Sequence, residues 1–315
     1  MGFVRVRVLF WGTPEFASPA LRALIGEGFE VVGVVTQPDR AQGRSRSALI
    51  APPVKSIALL ESIPVLQPER PRETGFAERI AALTPDISVV VAYGHILPTA
   101  LIELPRLGTL NIHASLLPRL RGAAPIQAAI RLGERQSGVS IMRMVQALDA
   151  GPVILAHTVP IHDDETAGEL ALRLSELGAQ ALIEALTLLG LGAARETPQN
   201  EALATYAGKV EREHARVDWR AEAVVVSRQI RAYDPRPGAF TTLRGDEVKL
   251  FGARESSVGC APAGEVLEIS ERGLLVACGQ GAVRVLQAQP AGKRRVSAAE
   301  WHRGRGIGIG DLLGN

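Results

Sequence analysis

An asparagine and a histidine stand two residues apart at the end of an apolar run, in TLNIHASLLPRLRGAAPIQ (residues 109–127). On a strand that spacing sends both side chains to one side, with Ile112 opposite. Asn111 can donate an N–H to a developing oxyanion. His113 can donate to the same oxygen or move a proton for a nucleophile. A carboxylate would have to hold the imidazole in one tautomer, and Asp149, in the Gly-containing loop ALDAG after the next long apolar run, is the candidate. Each residue also has a plainer reading: the asparagine caps a turn, the histidine is structural, the aspartate makes an Asx turn. No Ser or Cys lies in a nucleophile elbow, so the chemistry suggested is transfer to an external nucleophile.

The elements that must position this group alternate in type. Apolar runs at Val6–Trp11, Glu30–Val35, Ile63–Leu66, Ile87–Tyr93, Thr109–His113, Val139–Met144 and Val153–Val159 read as strands. Helical spacing occupies Ala20–Ile25, Thr74–Leu83, Ala124–Leu132 and Thr166–Leu189. The run ISVVVAY is apolar throughout, as a strand covered on both faces must be. This alternation predicts an α/β fold with a doubly wound, mostly parallel, Rossmann-like sheet, whose ligands bind beyond the carboxyl ends of the strands. Residues 190–205 lose periodicity and read as a linker. Beyond a helix at Ala221–Ala232, five short β-rich runs between Ala239 and Gln289 predict a small OB-like β-barrel. The expected domains are therefore 1–189, a linker 190–205, and 206–315.

Bulk numbers exclude several classes. The 315 residues suffice for two domains, and the net charge of +2 gives no global field for nucleic acid. The charge is uneven: residues 1–205 carry 18 basic against 20 acidic side chains, and 206–315 carry 17 against 13. That favours an anionic partner for the second half. Cys260 and Cys278 form no disulfide framework or metal motif and read as small apolar residues of a reducing compartment. Arg5 and Arg7 interrupt the first apolar run, so no signal peptide is expected, and no run is long enough to span a membrane. A cytoplasmic protein is expected. GTPEFA lacks the dinucleotide glycines, no phosphate loop or metal array appears, and His157 and His162 read as surface side chains, so no metal or nicotinamide is expected.

NIHASLLPRLRGAAPIQ resembles the signature of the folate-dependent formyltransferases, and Asn111, His113 and Asp149 match that family's catalytic group. The likeness continues in order through LFWGTPEFASPAL, VVTQPDRAQGR, PPVK, VVVAYGHILP, ETAGEL, TYAGKVEREHARVDW, IRAYDPRPGAF and LQAQPAGKRRVSAAEW. It implies transfer of the formyl group of 10-formyltetrahydrofolate to the α-amino group of methionine on initiator tRNA, by a chain that needs no partner subunit and is expected to be a monomer. Two departures stand out: Ala150 in ALDAG, and the approximate match of the loop Asp39–Pro53. The resemblance implies a folate wall at Ser115, Leu116, Leu117 and Pro118, with Pro118 a candidate for a cis bond. A second wall is expected at Tyr93, Gly94, Ile96 and Leu97. Arg119 and Arg121 would meet folate carboxylates, RNA phosphate or only solvent. For tRNA, the implied contacts are Arg40, Arg44 and Arg46 in a long loop, with Lys209, Lys293, Arg294 and Arg295 in the second domain, where Arg228 and Arg231 add to the basic set. Two rivals remain: a relative formylating another amine such as that of a sugar nucleotide, and a non-catalytic RNA-binding relative. AGKRRVSAAEW favours the tRNA substrate.

Overall fold

The computed structural model describes residues 6–42, 48–257 and 261–314. Their contacts form two compact units. The first comprises 1–122, 138–159 and 171–206; the second comprises 123–137, 160–170 and 207–315.

The first unit holds a seven-stranded sheet. Its strands are β1 (Arg7–Gly12), β2 (Glu30–Val35), β3 (Val65–Leu66), β4 (Ile87–Val91), β5 (Thr109–His113), β6 (Gln136–Arg143) and β7 (Val153–Pro160), in the order β7-β6-β5-β4-β1-β2-β3. The pairs β1–β2, β1–β4, β2–β3 and β4–β5 are parallel, and β6 runs antiparallel to β5. The predicted mostly parallel sheet is thus observed. The strand order reverses at β1, which places the expected ligand crevice beyond the carboxyl ends of β1 and β4. Val8, Leu9, Phe10 and Trp11 of β1 are wholly buried, and Trp11 donates from its indole to Ser88 Oγ at 3.2 Å. Each such apolar side chain contributes about 1.5–3 kcal/mol by burial. Helices α1 (Ser18–Gly26), α2 (Pro53–Leu60) and α3 (Phe76–Ala82) join these strands.

The second unit contains α4 (Pro125–Leu132) packed on α6 (Ala223–Ala232), the long helix α5 (Ala167–Gly190) starting within it. Its antiparallel sheet has β8 (Ala239–Leu243), β9 (Asp246–Ser256), β10 (Val266–Ser270), β11 (Gly273–Ala277), β12 (Ala282–Pro290) and β13 (Val296–Ser297). The order is β8-β9-β12-β11-β10, with β13 on β12. The chain's last segment joins the two edges. Leu312 bridges Glu265 and Leu313 bridges Leu243, while Gly314 N donates to the Thr242 carbonyl at 2.8 Å. The sheet is closed by this strap, as the predicted barrel requires.

The two contact units cut across the sequential division expected at 189 and 205, because α4 and the turn at 160–170 group with the second unit. The supposed linker belongs to the first: Thr197 pairs with Val153, and Glu196 with Arg143. Within the long loop expected at 39–53, Arg40–Gln42 pairs antiparallel to Ala48–Ile50, and α2 follows. Among the described residues, no helix is long and apolar enough to cross a membrane.

Candidate active site

Strand β5 lies in register with β4 at Val90–Asn111 and with β6 at Asn111–Met142 and His113–Ser140. Asn111 is half-buried and makes no side-chain hydrogen bond among the described residues. His113 is buried, and its ring sits between two oxygens. Nε2 is 3.0 Å from the Leu120 carbonyl, and Nδ1 is 3.7 Å from Asp149 Oδ2. A carbonyl can only accept, so the neutral ring carries its proton on Nε2 and donates from it, which leaves the Nδ1 lone pair on the side of the carboxylate. A separation of 3.7 Å is too long for a hydrogen bond, but catalytic pairs commonly tighten only when substrate binds.

Strained backbone builds this arrangement. Leu120 and Asp149 have φ of +56° and +48°, a region that aspartate tolerates and leucine rarely enters. Such residues persist only where surroundings over-determine them. At Leu120 the constraint is Thr205, whose hydroxyl accepts from Leu120 N at 2.9 Å and whose carbonyl accepts from Arg121 N at 2.8 Å. At Asp149 it is threefold. Gly122 N donates to the carboxylate at 2.8 Å, and Gln199 Nε2 donates to the carbonyls of Asp149 and Gly151 at 2.8 and 2.7 Å. Gly151 must lack a side chain, since a Cβ there would lie 1.8 Å from the Arg143 carbonyl oxygen.

Gln199 is itself held. Arg121 Nε and Nη2 donate to its Oε1 at 3.0 and 2.8 Å, while the same guanidinium grips Glu201 at 2.7 and 2.9 Å. The Glu201 hydrogen bonds raise the Arg121 pKa above its ordinary value, and the arginine holds Glu201 below its own. Arg121 is only 1 % exposed. The expectation that Arg121 meets folate, phosphate or solvent is therefore corrected: its donors are spent on Gln199 and Glu201. These three residues were missed in the sequence as a unit because Arg121 lies 78 and 80 positions from Gln199 and Glu201.

The apolar loop after His113 is tightly tied. Ser115 Oγ donates to the Arg119 carbonyl at 2.6 Å. Ser140 Oγ donates to the Ser115 carbonyl and accepts from Leu117 N. Leu116, Leu117 and Pro118 are half-buried, and the Leu117–Pro118 peptide is cis. The second wall divides. Gly94 and Ile96 are exposed, but Tyr93 and Leu97 lie in the core cluster with Trp11. The Tyr93 ring meets Trp11 edge-on at 5.3 Å, its buried hydroxyl has no partner, and burial pushes its pKa up to about 12. The Tyr93 side chain is thus a core residue and no folate wall. Its carbonyl accepts from Thr13 and Gln37, tying β1, β2 and β4 at the switch point.

Of the expected tRNA contacts, Arg40 is exposed on its hairpin, and Arg44 and Arg46 lie outside the described residues, as does Cys260. Lys209, Lys293 and Arg294 are exposed. Arg295 differs: it stacks 4.0 Å over the Phe251 ring and reaches the buried Asp234 carboxylate at 3.3 Å. Its charge is committed to the fold. His157 pairs with Glu184 at 2.9 Å, and no metal-binding cluster occurs among the described residues.

The comparisons agree with this architecture. Residues 4–186 match the formyl transferase family model, and 209–306 match the model of the formyl transferase C-terminal domain. The chain is 49 % identical over 300 residues to a methionyl-tRNA formyltransferase of Methylococcus capsulatus, covering 94 % of this chain and 96 % of that one. It is 47 % identical over 306 residues to the enzyme of the same name from Aromatoleum aromaticum, covering 97 % and 96 %. Among solved structures, the methionyl-tRNA formyltransferase from Clostridium thermocellum superposes with a TM-score of 0.59 at 15 % identity, covering 81 % of this chain and 95 % of that one. HypX from Aquifex aeolicus, in complex with tetrahydrofolic acid, gives 0.69 at 24 %, covering 94 % and 46 %.

Proposed function

The chain belongs to the formyl transferase family, and on that premise we propose how its own residues carry the reaction. The activity is transfer of the formyl group of 10-formyltetrahydrofolate to the α-amino group of methionyl-tRNA, the step that prepares the initiator for translation. Likeness at 45–49 % identity over nearly the whole length, the second domain included, separates this acceptor from a sugar amine.

An amine with an ordinary pKa of roughly 7.7–8.0 is partly protonated at neutral pH, so a base is useful. The free amine attacks the formyl carbon, a new C–N bond forms, and the carbonyl electrons move onto oxygen. The Asn111 amide, which has no side-chain hydrogen bond among the described residues, donates to that oxyanion. The amine proton passes to Nδ1 of His113. The resulting imidazolium lies between the Leu120 carbonyl and the Asp149 carboxylate, which stabilise it from both sides. Collapse breaks the bond from the formyl carbon to N10 of the folate, and His113 returns the proton to that nitrogen. Ser115–Pro118 supplies an apolar face for the pterin, and exposed Lys209, Lys293, Arg294 and Arg40 supply phosphate contacts. The placement of His113 between those two oxygens carries this assignment.

Formyl transfer to charged initiator tRNA tests it. His113→Ala and Asp149→Ala, each with native circular dichroism, should lose about 100- to 1,000-fold in kcat. A His113→Ala enzyme with wild-type turnover would refute the role. Preferential formylation of a sugar-nucleotide amine would refute the acceptor.

A further inference from the structure

A polar cavity of about 220 Å³ lies wholly within the second unit. It is lined by Ile130 of α4, by Gly133, Glu134 and Arg135 after it, by Ile161, His162 and Asp163 from the turn at 160–170, and by Arg228 and Arg231 on α6. Arg231 is 92 % buried, its exposure being 8 %. One of its nitrogens, Nη1, donates to the Glu165 carbonyl at 2.9 Å, but Nε is buried with no partner among the described residues. Burial pushes the Arg231 pKa below the usual range and neighbouring Arg228 adds to this, while Asp164, Asp163 and Glu165 oppose it.

Arg228 makes no ion pair or side-chain hydrogen bond among the described residues, and neither does Arg135. The Arg228 guanidinium instead lies flat against Gly133: a Cβ there would come within 2.3 Å of its Cζ. Gly133 has φ +72° at the end of α4, so the cap and the arginine both demand glycine. Asp164, Asp163 and Glu165 favour the Arg231 charge at a distance, and none of them is in a direct ion pair with either arginine among the described residues. Asp164 is engaged by Arg254 at 3.0 Å, and Glu165 Oε2 accepts from His162 N at 3.0 Å. Two adjacent guanidinium groups, one buried with a free N–H, are costly unless an anion joins them.

The geometry points to a phosphate-binding site here, in which one phosphate group takes the free Arg231 Nε–H and the unpaired Arg228 fork, with Arg135 and His162 at the rim. Guanidinium forks match phosphate oxygens in pairs. A cavity smaller than ordinary small-molecule pockets admits one such group and excludes a nucleoside. The phosphate has two sources, a phosphodiester of the tRNA or the free ion. The tRNA source rests on the function proposed above, and the ion does not.

The test begins with inorganic phosphate, followed by calorimetry and by the Arg231 Nε–H resonance. Wild type should show a saturable response, Arg228→Lys, which keeps the charge without the fork, should weaken it by less than tenfold, and Arg228→Gln, which loses both, should weaken it at least tenfold. Arg135→Gln provides a milder second variant should Arg228→Gln unfold. Wild type without a saturable response, or Arg228→Gln and Arg135→Gln both responding as wild type, overturns the site. The salt dependence of tRNA affinity then separates the sources. A log–log slope shallower by about 0.7–0.9 in Arg228→Gln assigns a tRNA phosphate. An unchanged slope with phosphate binding lost assigns the free ion. Formyl transfer by wild type is scored separately, so its failure is distinguishable from failure of the site.

Discussion

Replacing Gln199 should damage catalysis from outside the reacting group. Gln199→Leu keeps the bulk and removes four hydrogen bonds: two to backbone carbonyls at 149 and 151, and two from the buried Arg121 guanidinium. A neutral bond is worth about 0.5–1.5 kcal/mol and one to a charged group about 1.5–3, but Arg121 keeps Glu201, so the net stability loss should be about 2–4 kcal/mol. The catalytic loss comes from position. Asp149 holds φ +48° and faces Nδ1 across 3.7 Å; without the amide its loop can relax. A displacement of about 1 Å costs up to ~100-fold in rate, or about 2.7 kcal/mol. Single-turnover formyl transfer at saturating substrates should therefore fall about 10- to 100-fold in Gln199→Leu. The decisive comparison is a cycle with Asp149→Asn. If Gln199 acts only by placing the aspartate, the double variant should be no slower than Asp149→Asn alone, within about 0.5 kcal/mol. Losses that multiply, or a Gln199→Leu enzyme within twofold of wild type, would refute the positioning role.

Three further outcomes follow from the same structure. Tyr93→Phe should leave the KM for folate unchanged and raise stability at neutral pH by up to ~1 kcal/mol, since it removes a buried hydroxyl without a partner. The folded pKa of Tyr93 is raised to about 12 from an ordinary value near 10, so its stabilisation is intact below pH ~10 and is lost as the pH rises through 12. The variant should lose less stability than wild type across that window in urea titrations, and a raised folate KM would return the ring to the site. Gly151→Ala forces a backbone shift against Arg143 and should cost about 1–3 kcal/mol in thermal melts, together with turnover. Arg295→Met should lower the melting temperature because buried Asp234 loses its cation, whereas Lys293→Ala with Arg294→Ala should leave melting unchanged and flatten the salt dependence of tRNA binding.

What the sequence made legible is what local chemistry encodes. Thr109–His113 was readable to its ends because a strand covered on both faces must be apolar until it delivers its polar side chains, and β8 and the sheet order's parallel core were readable for like reasons. The short helix Ala298–Arg303 was also within reach: Ser297 and Glu300 form a capping box, a spacing visible in VSAAE. The support of the catalytic aspartate was not. Residues 197–205 carry no period, since they run from a single bridge to Val153 through one turn of 3-10 helix at Glu201–Leu203 to the contacts of Thr205, and such a stretch has the composition of a linker. Arg121 and Gln199 meet across 78 positions, a pairing no spacing rule reaches. The asymmetry has a physical origin. Groups that touch substrate must converge on one atom, and a strand end with a neighbouring loop brings them there cheaply; groups that hold a strained φ must come from elsewhere, because the strained segment cannot over-determine itself. The stretch that looks least structured in the sequence is therefore the one on which the angle of Asp149 depends.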